Sequence, residues 1–322
     1  VWGITYNRER GIKPIESWEA LRQARNDPSV ILWADFEAPT PAMLVKLDAL
    51  IDLDDEALED CLGGEPHPRV TEYADYLLLV VYGVIVPPGE VEISARRLAI
   101  FRGERFLITI HTEPSRSVAA LKERLLKAAD VAGVHGIDQW LYRLVDGMTD
   151  HYFLLIDKYE EEVEDFEERS LDGQGHRTFL GDASHIRRQL IEIRRLAAAQ
   201  RSLLEPLAEG EFDYVAADLS SSFRRVVDHL SHALDRIDGL RDRLNAAVQN
   251  YNSAIAKRTN DIMRTLTVLT AIMLPLSLVA GLYGMNVPLP ASGGRGSFWG
   301  VVAIMVLLAA GMLALFRRWK WI

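Results

Sequence analysis

The chain has 322 residues, enough for about two domains, and carries 36 Lys and Arg against 46 Asp and Glu for a net charge of −10. That balance argues against nucleic acid as a partner, because phosphate binding needs clustered basic residues. A single cysteine, Cys61, excludes an internal disulfide framework and fits a reducing compartment.

The first residues, Val1 to Pro14, hold no apolar core of a signal peptide, so none is expected. The missing initiator Met suggests that a few residues have been lost. Residues 1–115 mix strand-like and helix-like signals and predict a cytoplasmic α/β domain. Val30–Phe36 is a short apolar run stopped by Pro39 and Pro41, and residues 41–62 have helical spacing, with Leu44, Leu47, Leu50 and Ile51 on one side. Residues 76–86 are a strong strand candidate ending at Pro87 and Pro88. Residues 91–103 and 105–112 follow as a hairpin about Arg102, Gly103 and Glu104.

Residues 116–206 turn helical and predict a hairpin with an acidic tip. Glu160, Glu161, Glu162, Glu164, Asp165, Glu167 and Glu168 form an acidic run there, read as a solvated helix face rather than a cation sensor. A break near residues 171–178 separates the two helices. Between Pro206 and Pro275 no proline intervenes, so residues 207–264 predict a stalk helix that continues into the next segment. With it the helix would be about 70 residues, on the order of 100 Å. Its seam is Phe223, Val227, Leu230, Leu234, Ile237, Leu244, Val248, Tyr251 and Ile255, a heptad interrupted by Arg241.

Two uncharged apolar runs close the chain, residues 265–286 and 298–316, joined by a loop at 287–297. Each is about long enough for the roughly 30 Å of a bilayer's hydrocarbon. Lys257, Arg258 and Arg264 precede the first span; Arg317, Arg318 and Lys320 lie in the tail, 317–322; the loop carries only Arg295. The positive-inside rule then puts both termini in the cytoplasm of a multi-pass inner-membrane protein, with Trp299, Trp319 and Trp321 as interfacial anchors. On the first span, one stripe carries Asn260, Thr267, Leu274 and Gly281, and a second carries Met263, Thr270, Ser277 and Gly284. Such a face either packs closely against another helix or lines a pore. Leu269, Ile272, Leu276 and Val279 form the opposite face, suited to lipid.

The first span ends in Tyr283, Gly284, Met285 and Asn286. This Gly-Met-Asn sequence, placed between two uncharged spans and ahead of a basic-aromatic tail, resembles the signature of the CorA family of divalent metal ion transporters. The stretch Thr259–Thr267, the run Pro275 to Asn286 and the order of parts extend that resemblance to the whole chain. It implies a homopentamer of the chain in the lipid bilayer, a funnel whose central pore is lined by five copies of the first span. It further implies a mouth at Tyr283–Asn286, where Asn286 binds a hydrated cation, and a pore lined by Asn260, Met263, Leu266, Thr270, Leu274, Ser277 and Gly281. Arg317, Arg318 and Lys320 would ring the exit. No bound cofactor is expected, and Mg²⁺, Co²⁺ or Zn²⁺ would be the transported and a candidate regulatory ion. One departure stands out: the loop Val287–Gly296 has no acid, unlike many magnesium-transporting members, and is similar to the Gly-rich loop of the ZntB branch.

His229 and His232, with Asp228 and Asp235 beside them, are a weak zinc candidate against the plainer reading of a surface pair. No P-loop, GxGxxG, GxSxG or HExxH motif occurs, so the chain is not expected to be an enzyme. Three functions follow: passive influx of Mg²⁺ and Co²⁺, zinc transport coupled to protons, or a membrane-anchored scaffold. The polar stripe and the Gly-Met-Asn sequence speak against the last.

Overall fold

The computed structural model of the chain describes residues 2–7, 9, 11–62, 67–87, 89–127, 136–171, 178–212, 214–216, 219–285 and 295–321. Two compact units emerge: residues 1–167 with 178–246, and residues 168–177 with 247–322.

In the first unit, β1 (Trp2–Asn7) and β2 (Gly11–Ile15) form a hairpin, followed by α1 (Trp18–Asn26). Ser17 caps α1 by accepting from the Ala20 N–H at 3.2 Å. β3 (Ile31–Glu37) is the apolar run foreseen at 30–36. Residues 41–62 are two helices rather than one, α2 (Pro41–Ile51) and α3 (Asp55–Leu62). Asp52 stands between them in the left-handed region at φ 52°, and Asp48 accepts from the Leu53 N–H, so the chain turns where continuous helical spacing was expected. β4 (Arg69–Glu72), β5 (Tyr76–Ile85), β6 (Ser94–Gly103) and β7 (Phe106–His111) complete the sheet.

Among the described residues the sheet has seven strands in the order β2-β1-β3-β7-β6-β5-β4, with only β3 and β7 parallel. Nine of the ten residues of β5 are buried, as expected of a strand covered on both faces. Leu44, Leu47 and Ile51 of α2 join Leu78, Phe101 and Ile108 in the core on one face.

The helices are α4 (Arg116–Lys127), α5 (Gly136–Leu171), α6 (Phe179–Glu209), α7 (Ser220–Tyr283) and α8 (Arg295–Arg318). On the sheet's second face, Trp140 of α5 lies 6.5 Å from Trp33, and Tyr152 donates to the Tyr82 carbonyl. Gln200 of α6 accepts from the Tyr82 N–H, so one strand residue has both backbone groups taken by the helical layer.

Ion pairs give the helix directions. Asp157 and Glu160 of α5 meet Arg236 of α7, and Glu167 meets Arg243, so numbers rise together along these two helices. Arg194 of α6 meets Asp238, and Arg187 meets Asn245, so α6 runs against α7. Phe166 and Phe179 stack at 4.0 Å near the α5–α6 turn. The acidic run is therefore not simply solvated: Glu160 and Glu167 are tied to arginines of α7, and Glu162 to Lys158.

Two expectations about the stalk change. α6 continues three residues past Pro206, until Gly210 ends it in the left-handed region at φ 78°, and α7 begins at Ser220 rather than at 207. The buried seam of α7 is Phe223, Val226, Leu230, Ala233, Leu234, Ile237, Leu240, Leu244, Ala247 and Tyr251. Val226 and Ala247 take the places expected of the half-buried Val227 and Val248, Leu234 is buried as expected together with Ala233, and Leu240 fills the seam beside Arg241. Weight had been given to the larger neighbours; alanine at the seam lets helices approach closely, and Leu240 removes the apparent interruption at Arg241.

Candidate functional site

The apolar half of α7 and α8 belong to the second unit. Mean hydropathy reaches 2.0 in the best window of α7 and 2.5 in that of α8, yet almost none of either window is covered by protein. A core helix of comparable hydropathy would be buried; these two leave their apolar surface for another solvent.

What is covered follows helical spacing. On α7 it is Arg264, Val268, Ala271, Ile272, Pro275, Leu276 and Val279; on α8 it is Val301, Val302, Met305, Ala309, Met312 and Phe316. Each set is one side of a helix, and Val268 and Phe316 are its fully buried members. Ile272, Leu276 and Val279, expected to face lipid, therefore lie on the partly covered side, and α8 likewise has a covered stripe instead of being lipid-facing all round.

The polar stripe is the uncovered side. Asn260, Met263, Leu266, Thr267, Thr270, Leu274, Ser277, Gly281 and Gly284 are all exposed in the single chain. Thr267 and Thr270 donate their hydroxyl protons to the carbonyls of Met263 and Leu266, each at 2.8 Å. A hydroxyl that has given its proton to the backbone presents lone pairs outward, which suits a cation or the water around it. Beyond Gly281 there is open space where a side chain would stand.

α7 ends at Tyr283, immediately before the Gly-Met-Asn sequence. The Gly284 N–H still reaches the Ala280 carbonyl at 2.9 Å, and the Met285 N–H reaches Leu282 at 3.4 Å as the last turn tightens. Tyr283 and Met285 are exposed. Asn286 and residues 287–294 lie outside the described residues, as do the side chains of 295–297.

At the other end of the spans, Asn260, Met263 and Thr267 share a cleft of about 460 Å³ with Trp319, Lys320 and Trp321. α8 closes with Lys320 in the left-handed region at φ 57° and a Trp321 N–H bond to the Phe316 carbonyl at 2.9 Å. This fold-back stacks Trp321 on Phe316 at 6.0 Å and places it under the Arg264 guanidinium at 5.9 Å. The Arg264–Trp321 contact was missed, because Trp321 read only as an interfacial anchor. Arg317 and Arg318 occupy the last turn of α8, where cations complement the helix dipole.

His229 and His232 lie on α7 in the first unit. His229 stands edge-on to Phe153 at 6.1 Å, and His232 is exposed. Among the described residues no three His, Cys, Asp or Glu side chains converge as metal ligands.

A water-soluble α/β body joined to two uncovered apolar helices, one striped with hydroxyls and glycines, defines a membrane protein with a polar route or contact along one span. The chain belongs to the family described as CorA-like Mg2+ transporter protein, whose model matches residues 28–318. It is thus a divalent metal ion transporter of the inner membrane. It is 25% identical over 266 residues to the cobalt/magnesium transport protein CorA of Thermotoga maritima, covering 82% of this chain and 76% of that one. In fold it is similar to the complete CorA magnesium transporter of Methanocaldococcus jannaschii, with a TM-score of 0.85, 22% identity and coverage of 100% and 99%. The ZntB cytoplasmic domain of Vibrio parahaemolyticus matches with a TM-score of 0.65 and 16% identity, covering 79% of this chain and 98% of that one.

Proposed function

We propose that five copies of this chain assemble around their α7 helices and pass hydrated Mg²⁺, and Co²⁺, inward without an energy source other than the membrane potential. Two charges moving through 100 mV gain about 4.6 kcal/mol. The observation that carries the reading is the uncovered stripe of α7, whose threonine hydroxyls are turned into acceptors and which runs to the Gly-Met-Asn sequence. A polar stripe facing lipid would be costly, so it calls for water or another copy of the chain beside it.

In this reading Tyr283, Gly284, Met285 and Asn286 form the outer mouth. The Asn286 amide oxygen holds water of the ion's first shell, which suits Mg²⁺ because that ion dehydrates reluctantly. Asn260, Met263, Leu266, Thr270, Leu274, Ser277 and Gly281 line the pore, and rings of Met263, Leu266 and Leu274 gate it by dewetting. Both termini lie in the cytoplasm, with Arg317, Arg318 and Lys320 around the exit. The relative from T. maritima named for cobalt and magnesium supports this choice of ion.

Zinc transport coupled to protons is the second reading, and the observation favouring it is the outer loop, which has no acid and one Arg295. Flux into liposomes holding the purified chain tests both. Mg²⁺ and Co²⁺ uptake, indifferent to a pH gradient and lost in Asn286→Ala while the assembly survives, is expected. Zn²⁺ uptake driven by a pH gradient would replace the first reading with the second, and undiminished uptake by Asn286→Ala would overturn the mouth.

A further inference from the structure

We propose that a pocket in the first unit, walled by the end of β5, the start of α4 and the middle of α5, binds a small organic phosphate. The pocket holds about 330 Å³, at the lower end of the roughly 300–1,000 Å³ usual for small-molecule sites. Its wall is amphipathic. Arg96, Arg116 and Lys158 contribute cationic side chains, while Val84, Met148 and Leu155 contribute apolar surface.

Charge complementarity selects the ligand. Arg116 is the first residue of α4, and no acid shares that first turn, so the helix's free N–H groups and its positive end stand unopposed. Ser115 spends its hydroxyl oxygen on the Val118 N–H, leaving the rest of the turn to water or a ligand. Arg96 is paired with Glu113, yet its Nε is shut off from solvent without a hydrogen-bond partner. Lys158 has Glu162 at 3.6 Å, one turn further along α5, and stands 5.6 Å from the Tyr159 ring. Glu113 and Glu162 thus answer two of the three cations and Asp150 acts on His151, which leaves Arg116 and the helix N-terminus as the excess. A dianionic phosphomonoester matches that excess, since guanidinium groups and helix ends are its usual partners.

The middle of the wall is a neutral imidazole. His151 lies deep enough that burial, and the charge of Arg116, push its pKa down, against the opposite pull of Asp150. Its Nδ1 packs where a side chain on Gly83 would come within 2.9 Å, so glycine at position 83 is what lets the ring sit there. Leu154, 59% exposed at the rim, offers apolar surface to the body that carries the phosphate. Phosphate at the α4 end and a flat apolar body over Leu154 and Met148 describe a nucleoside monophosphate or a molecule like it.

Calorimetric titration of the purified full-length chain with AMP, adenosine and inorganic phosphate tests this. AMP is expected to bind saturably, and adenosine and inorganic phosphate at least about 10-fold more weakly, because each lacks one half of the match. Arg116→Ala and Lys158→Ala should each weaken AMP by about 10-fold or more; both residues are exposed, and an unchanged unfolding midpoint confirms that they fold. Leu154→Asp, placing a like charge at the rim, should weaken it too. No AMP binding, equal binding of adenosine, or unchanged affinity in both cation variants overturns the proposal. None of these results bears on ion flux, so the site and the transport reading stand or fall separately.

Discussion

The two halves of α7 solve opposite problems with one backbone. In the first unit the helix hides an apolar seam from Phe223 to Leu244 and shows polar side chains on its flanks: Arg236 and Arg243 pair with acids of α5, Asp238 pairs with Arg194 of α6, and the Asn245 amide oxygen accepts from Arg187. In the second unit the helix shows apolar residues and leaves its few hydroxyls and glycines on the uncovered side. Water makes the first arrangement stable by expelling Leu and Val; hydrocarbon gives no such force, so the second is decided by polar groups seeking partners.

The largest expected effect sets that polar side against Leu278, an exposed apolar neighbour. Ser277→Lys on the stripe should leave the chain in the membrane but lower ion flux by about 100-fold or more, because in the proposed pentamer five like charges would ring a cation's path. Leu278→Lys, one residue on, should instead lower the amount of inserted protein, at about 2.5–3.5 kcal/mol for a charge at mid-span. Equal phenotypes in a flux and membrane-yield comparison would abolish the distinction between the two sides.

A second pair tests the seam. Leu244 is fully buried, and Leu244→Ala should cost about 2–5 kcal/mol in denaturant unfolding. Leu274 is 71% exposed in the single chain, so Leu274→Ala should leave that transition in place and change flux instead. A smaller effect belongs to Arg243, which reaches Glu167 at 2.6 Å and Glu160 at 3.8 Å with its side chain about two-fifths exposed. Arg243→Ala should cost no more than about 1 kcal/mol, and added salt should shrink the difference from wild type.

Legibility followed the same division. The spans, their uncharged composition and the Gly-Met-Asn sequence were plain, because hydrocarbon tolerates few residue types over about 20 positions. β5 and β7 were plain for a related reason: strands covered on both faces read as nearly unbroken apolar runs, while β6, with Arg96, Arg97 and Arg102, was read from the turn it shares with β7. The β1–β2 hairpin went unread, since Thr5, Asn7 and Lys13 dilute its alternation. The seam was read only in part, because Ala247 is small enough to pass for a spacer beside Val248, whereas Leu234 is buried as read, together with Ala233. Nothing in the sequence joins Arg264 to Trp321, or Glu167 to Arg243; those contacts exist only once helices are folded against one another.

The smallest expected effect lies where α5 meets the water-facing half of α7. Burial holds the Asp146 carboxyl above its ordinary value; Asp150 raises it further, while His229, the Tyr142 hydroxyl and Arg225 act against them. A carboxyl raised in the folded state binds its proton more tightly there than in the unfolded chain. Its favourable contribution is therefore complete at pH below the ordinary carboxylate value and is lost as pH rises through the raised one. At neutral pH the charged Asp146 opposes folding. Asp146→Asn removes the charge and can still bond Tyr142, so it should raise the thermal midpoint at pH 7, by less than about 1 kcal/mol. The gain should fade as pH is lowered through the carboxylate range, where the wild-type group is already neutral. A gain that persists unchanged at acid pH would mean that packing, rather than the buried charge, separates the two proteins at this position.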